Sequence, residues 1–421
     1  MSILLKNVII EGKKRDLFIE GKIIKNIGDN LDLKAEEEID AKGEKAVLPG
    51  FVNCHTHAAM SLLRGYGDDL SLKEWLENKI WPLEAKLTPD DIYWGTKLAC
   101  LEMIKTGTLA FNDMYFFPES AISATEEMGL RALIGLVVFD LSESGQPENI
   151  EKTYYRLQSK KSDLINLSVA PHSIYTVSKE NLIWSKNFAQ KENLILHIHL
   201  SETEKEVDDC LKENNLRPAE YLNQINFLGE NVILAHSVWL SEGEISIIAE
   251  NKSSPVYNPC SNLKLVSGEI FPYKAFKDKN VNICLGTDGA ASNNSLDMIR
   301  EAKFASLLQK HKEKDPTFLP ADEALSVATK SGYRALRMGS GEIKEGNLAD
   351  LILVDLNKTY FAPGLNFVSD LIYAASGDCV SDSICNGRIL MRDKKVEGED
   401  EIIKKSKKIA EGLVRGQINK N

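Results

Sequence analysis

Between residues 50 and 339 short apolar, β-branched runs alternate with longer stretches of helical periodicity, and this alternation restricts the fold more than any other feature. Strand-like runs fall at 51–54, 108–112, 132–138, 166–170, 194–198, 232–235, 254–257 and 282–285, while segments such as 90–105, 179–191 and 241–251 space their apolar residues for one face of a helix. Strands separated by helices cannot close as hairpins and must lie parallel, each reached by a crossover. Eight such runs predict an α/β chain folded as a (β/α)8 TIM barrel, with its active site at the C-terminal ends of the strands.

The two ends of the chain read differently. Runs at 3–10, 16–20 and 22–27 are strands joined by the turns Glu11-Gly12 and Gly21-Lys22, and three strands do not make a core alone. Partners appear at 347–355 and 383–391, followed by a lysine-rich amphipathic helix over 401–416. Residues 1–49 and 340–421 are therefore expected to form one small composite β domain beside a barrel domain of 50–339. The 421 residues suffice for both cores.

A net charge of -11 argues against nucleic acid or an anionic membrane as partner and leaves a neutral or cationic small molecule as the easier one. The first residues lack the pattern of a secretory signal, and no run approaches the ~20 apolar residues of a membrane span. Seven scattered cysteines without a Cys-X-X-Cys pair fit a reducing compartment, so the chain is expected to be cytoplasmic.

Histidines collect at the expected rim. His55 and His57 end the first barrel strand, and period-two alternation points both the same way while turning Cys54 aside as a packing residue. His172, His199 and His236 follow the fourth, fifth and sixth strands, and Asp288 follows the eighth. His55, His57, His199 and Asp288 suit one divalent ion, zinc first, which lowers the pKa of coordinated water toward neutrality. His197 and His199 share one strand face, so either could be the ligand. His199 is preferred as the nearer to the strand end, with His197 a core residue one layer down. The fourth strand has no lysine, which disfavours a two-metal site bridged by a carbamylated lysine. Glu202 sits in the loop after His199, as a carboxyl facing the site or as an acidic residue favouring a helix first turn. The small-residue loop Gly286-Thr287-Asp288-Gly289 lets the chain approach the metal closely.

The ordered set Pro49-Gly50-Phe51-Val52-Asn53-Cys54-His55-Thr56-His57, His199, His236 and Gly286-Thr287-Asp288 resembles the amidohydrolase superfamily over essentially the whole chain. Within it, the runs His57 to Gly65, Trp81-Pro82-Leu83-Glu84, Ala170-Pro171-His172-Ser173, His199-Leu200-Ser201-Glu202-Thr203 and Asn258 to Leu265, together with Thr287 to Asn294, resemble the deaminases of 5'-methylthioadenosine, S-adenosylhomocysteine and 5'-deoxyadenosine. The resemblance implies a metal held by His55, His57, His199 and Asp288. It also implies Glu84 on the ribose hydroxyls, His172 on the purine, and His236 orienting or polarising the attacked centre. The implied reaction is hydrolytic deamination at C6 of an adenine, with Asp288 accepting a proton from water and Glu202 protonating N1. A homo-oligomer is expected.

One departure bears on the substrate. The end of the third strand, Ile134 to Asp140, has no arginine to meet an amino-acid carboxylate, and none follows until Arg156. Uncharged 5' groups are therefore expected ahead of S-adenosylhomocysteine. The rival within the superfamily is a free-base substrate, such as guanine, cytosine, a pterin or a triazine, for which Glu84 would have no diol to hold.

Overall fold

The computed structural model describes residues 1–418 and contains two eight-stranded sheets. One belongs to the chain ends and the other is the barrel. β1 (Ser2–Ile10), β2 (Lys13–Glu20), β3 (Ile23–Gly28), β4 (Glu37–Asp40) and β5 (Lys45–Pro49) open the first sheet, and β14 (Leu351–Asp355), β15 (Val380–Cys385) and β16 (Arg388–Met391) complete it. Of these, β4 and β5 go beyond the sequence reading. β14 joins the halves by pairing antiparallel with β5, Leu351 opposite Pro49. The core of this sheet includes Ile3, Leu5, Leu17, Ile19, Leu351, Leu353 and Ile384 from both ends of the chain. Residues 383–391, expected as strand, are a hairpin whose turn places Asn386 and Gly387 at positive φ.

The barrel comprises β6 (Phe51–Thr56), β7 (Thr108–Asp113), β8 (Arg131–Val138), β9 (Ile165–Pro171), β10 (Ile195–Leu200), β11 (Val232–His236), β12 (Ser254–Tyr257) and β13 (Cys284–Leu285), all parallel and in sequence order. β13 is shorter than expected, and the Asn282 side chain just before it donates to the Ser331 carbonyl at 3.1 Å. The first and last strands close through Asp288 N–H to the His55 carbonyl (3.0 Å) and a pair of hydrogen bonds between Asn53 and Thr287 (2.6 and 3.0 Å).

Local signals set the boundaries. The helix Pro89–Thr106 starts at a Thr88–Asp91 capping box with proline at its first position. It ends where Gly107 adopts φ +87, a conformation that suits glycine, and β7 begins at the next residue. Gly50 admits no side chain, since a Cβ there would lie 2.5 Å from Leu109. That close approach carries the chain from β5 directly into β6.

Inside the barrel Val52, Ala110, Leu133, Ile195, Ile233, Val256 and Cys284 pack on Tyr333, Leu336 and Met338, which plug the N-terminal end. Leu196, Ile198 and Leu200 face the outer helices. The lower barrel is thus filled, and chemistry is confined to the other rim. A buried network ties the barrel to the terminal sheet: Arg131 of β8 donates to both oxygens of Asp350 (2.6 and 3.2 Å) and to the Asn386 side chain (2.8 Å). The C-terminal helix Glu399–Ile418 packs on Pro89–Thr106, with Lys105 bonded to Glu399 at 2.5 Å. Among the described residues no helix is long and apolar enough to cross a membrane.

Candidate active site

The way each strand ends decides where its histidine goes. His55 lies within β6, while His57 follows its end and opens the 3-10 turn Ala58–Leu63. Strict alternation fails here, because the register between β6 and β7 shifts between Asn53 and Thr56. Cys54 consequently points to the filled barrel interior beside Cys284, one layer beneath the histidines. It is a buried packing residue, by a different route from the expected one. On β10, Ile195, His197 and His199 climb the inward face at every second position. His236 ends β11, His172 follows β9, and Asp288 follows β13.

Ring centroids of His55 and His57 are 4.9 Å apart, those of His55 and His199 4.8 Å, and those of His57 and His199 5.4 Å. Each ring has its other nitrogen engaged. His57 Nδ1 donates to the Met114 carbonyl and His199 Nδ1 to the His172 carbonyl, both at 2.6 Å. His55 Nδ1 lies 2.9 Å from His197 Nε2, so His197 is the second partner of His55 as well as a core residue one layer down. This leaves three Nε2 lone pairs directed at one region. His55 Nε2 is buried with no hydrogen-bond partner, a costly state for a ring nitrogen unless it ligates something.

The Asp288 carboxylate meets them there, Oδ1 standing 3.4 Å from His55 Nε2 and 3.2 Å from His57 Nε2. Its other oxygen accepts from Ser261 (2.7 Å) and Ser292 (2.8 Å). The ligand atoms of His55, His57 and His199 lie within 4.8 Å of one another, as do those of His55, His236 and Asp288. Burial opposes a charged imidazole at His57, yet Asp288 and the Met114 carbonyl bring its pKa up to about 9. Burial likewise works against an ionised Asp288, but the two histidines beside it hold its carboxyl well below the ordinary range. Burial in contrast keeps His55 neutral, with a pKa of about 3, and lowers that of His199, and neutral nitrogen donors beside an ionised carboxylate fit a divalent metal ion.

Around this centre is a cavity of about 730 Å³, within the range of small-molecule sites. Glu202, His236, His172 and Glu84 all line it. Burial, then the Asp288 charge, pushes the Glu202 carboxyl up to about 8, so it carries a proton at neutral pH. His236 Nδ1 faces the Asn262 amide nitrogen at 2.9 Å and accepts its proton, which puts the ring's own proton on Nε2, 3.7 Å from Glu202. Burial keeps His236 neutral with a pKa of about 4, and His172 neutral with one of about 3. His172 Nδ1 is held by the Thr176 hydroxyl at 2.9 Å. Glu84, at the end of the short helix Trp81–Glu84, accepts from the Tyr115 hydroxyl at 2.7 Å.

His57, Glu84, His172, His199, Glu202, His236 and Asp288 line this one cavity, and His55, fully buried, lies behind His57 and His199. Sequence reasoning missed Asp113, Tyr115 and the positioning amides. Asp113, buried, accepts from Ala58 N–H at 2.7 Å and so fixes the turn after His57. Asp113-Met114-Tyr115 reads simply as a strand end, whereas Ser261 and Asn262 lay inside a motif already singled out.

The site can polarise water, donate one proton from a neutral carboxyl and accept another on a carboxylate. Residues 46–390 match the model of the amidohydrolase family. The chain is 46% identical to a 5'-deoxyadenosine deaminase of Methanoregula boonei, covering 98% of this chain and 96% of that one. It is 45% identical to a 5-methylthioadenosine/S-adenosylhomocysteine deaminase of Archaeoglobus fulgidus, covering 98% and 99%. Among solved structures, an adenosine deaminase of Xanthomonas campestris with bound zinc superposes with a TM-score of 0.93 at 32% identity, over 98% of both chains. By its sequence, its barrel and its terminal sheet, this chain belongs to the amidohydrolase family.

Proposed function

We propose that the protein hydrolytically deaminates C6 of 5'-substituted adenosines, namely 5'-deoxyadenosine, 5'-methylthioadenosine, S-adenosylhomocysteine and adenosine itself. The products are ammonia and the inosine analogue, and the role is recycling of S-adenosylmethionine by-products. The observation that carries this reading is one cavity holding a protonated carboxyl, Glu202, beside a carboxylate, Asp288, with a second carboxylate, Glu84, on its wall. The names of the relatives support the same substrates.

A single zinc ion is the metal proposed, held by His55, His57, His199 and Asp288. When bound, zinc supplies Lewis-acid activation of water. The chain's own groups do the rest. Glu202 donates its proton to N1, which makes C6 electrophilic. Asp288 takes a proton from the attacking water and returns it to the leaving amine, the Nε2–H of His236 donates to the oxygen at C6, and the proton lost from that oxygen on collapse restores Glu202. His172 faces the purine, and Glu84, oriented by Tyr115, takes the ribose diol. A diol donates two hydrogen bonds that a carboxylate accepts in parallel.

The helix Pro147–Leu157 brings Arg156 to the outer cavity wall, where its guanidinium pairs with Glu119. The absence of an arginine at the end of β8 supports preference for uncharged 5' groups, with S-adenosylhomocysteine a poorer substrate, while Arg156 stands 65% exposed at the outer wall. In this proposal residues 1–49 with 340–421 form one domain and 50–339 the other, in a cytoplasmic homo-oligomer; seven free cysteines support the reducing compartment. Ammonia release from the four nucleosides and from guanine, side by side, tests the proposal. Turnover of guanine alone would move the protein to the free-base class.

A further inference from the structure

Glu206 plays no part in the mechanism above, yet it is buried beside its groups, 5% exposed in the first turn of the helix Glu204–Asn214. Its carboxylate turns back over the helix start. Oε1 accepts from Ser201 N–H at 2.8 Å and Oε2 from Glu202 N–H at 2.9 Å. Ser201 sits at φ +48, in the left-handed region that a non-glycine residue occupies only when its surroundings force it. The force comes from both sides of the turn. Opposite Glu206, the Ser201 carbonyl accepts from Val238 and Trp239 N–H at 3.1 and 2.9 Å. The Thr203 hydroxyl accepts from Glu206 N–H at 3.2 Å, which fixes the helix start on which Glu206 stands.

We propose that Glu206 is the positioning residue of the proton donor: its two oxygens hold the strained Ser201–Glu202 turn so that the Glu202 carboxyl enters the cavity next to His236. This rests on the role given to Glu202 above. Burial raises the pKa of Glu206 to about 8 against the two backbone N–H groups that favour its ionised form; in that form both oxygens accept, whereas an amide offers one acceptor and sets its own N–H against the second donor. An acidic residue in a helix first turn also favours the helix electrostatically. That role alone would affect stability and leave turnover untouched.

The test uses full-length, metal-loaded Glu206→Gln with 5'-deoxyadenosine. Displacing a reacting group by about 1 Å costs on the order of 10²-fold, so kcat falls ~10- to 100-fold while KM stays within about twofold. Metal content per chain is unchanged, because no metal-facing residue is touched. Hydrogen exchange in peptides covering 198–206 quickens at the Ser201 and Glu202 amides, a readout that needs no substrate. Glu206→Asp, which keeps the carboxyl but reaches one donor, falls between wild type and the glutamine variant and serves should the latter not fold. Wild-type kcat with unchanged exchange would overturn the inference. A wild-type protein inactive on every adenosine but showing faster exchange in the variant would refute the assigned reaction and leave the clamp standing.

Discussion

Gly286 sits where the barrel closes, and an alanine there has nowhere to put its methyl group. A Cβ would lie 2.8 Å from His55 N, 2.9 Å from His55 O and 3.0 Å from His55 Cβ. Two of these three atoms are backbone, so no side-chain rotation relieves the contact. Either the segment of β6 carrying His55 moves outward or the loop to Asp288 moves away, and the Asp288 N–H to His55 carbonyl bond of 3.0 Å is lost either way. Overpacking of this kind costs about 1–3 kcal/mol, which in a chain this long lowers Tm by roughly 1–4 °C. The larger effect falls on the metal, since both displaced residues face it. Perturbing the support of a ligand typically costs 10–100-fold in affinity, so Gly286→Ala should lose metal to a chelator at concentrations that leave the wild type loaded. Chelator titration followed by elemental analysis, with the melting curve measured in parallel, checks this. Gly286→Ala with wild-type affinity would refute the placement of His55 and Asp288 across the closure.

Other expectations follow from the same geometry. With Glu202 raised to about 8 and active only when protonated, kcat/KM should hold below that pH and fall tenfold per unit above it. An ordinary carboxyl would instead lose activity from about pH 4.5 upward, as a pH profile with the metal held loaded will show. Arg131→Met leaves Asp350 buried without its partner and should cost about 3–5 kcal/mol in chemical denaturation, partly recovered in Arg131→Met/Asp350→Leu. His197→Phe removes the partner of His55 Nδ1, and weakened metal retention of about 10–100-fold with the fold intact by circular dichroism is expected.

The elements most legible in the sequence were those under the simplest constraint. A parallel strand buried on both faces is predominantly apolar, and the eight runs expected on that ground coincide with the barrel strands to within about two residues. The His55/His57, His199, His236 and Asp288 set was legible because barrel topology brings strand ends together whatever their separation in sequence. β4, with Glu37 and Glu38 at the sheet edge, was not, for its pairing to β1 depends on a partner over thirty residues away. Cys54 was legible as a packing residue, but its seat beside Cys284 was not, because a register shift in β6 interrupts alternation and leaves no mark in the residues themselves. Glu206 looked like any acid in a helix first turn. Only the backbone path of Ser201 shows that it also faces backward.

The central claim is that a protonated Glu202 and a metal-facing Asp288 together deaminate an adenosine, and ammonia release by wild type and Glu202→Gln offered 5'-deoxyadenosine measures it most directly. Wild-type turnover, lost by about 10²-fold or more in Glu202→Gln with its metal content unchanged, is the predicted result. A metal-loaded wild type that releases no ammonia, or a Glu202→Gln variant as fast as the wild type, would contradict it.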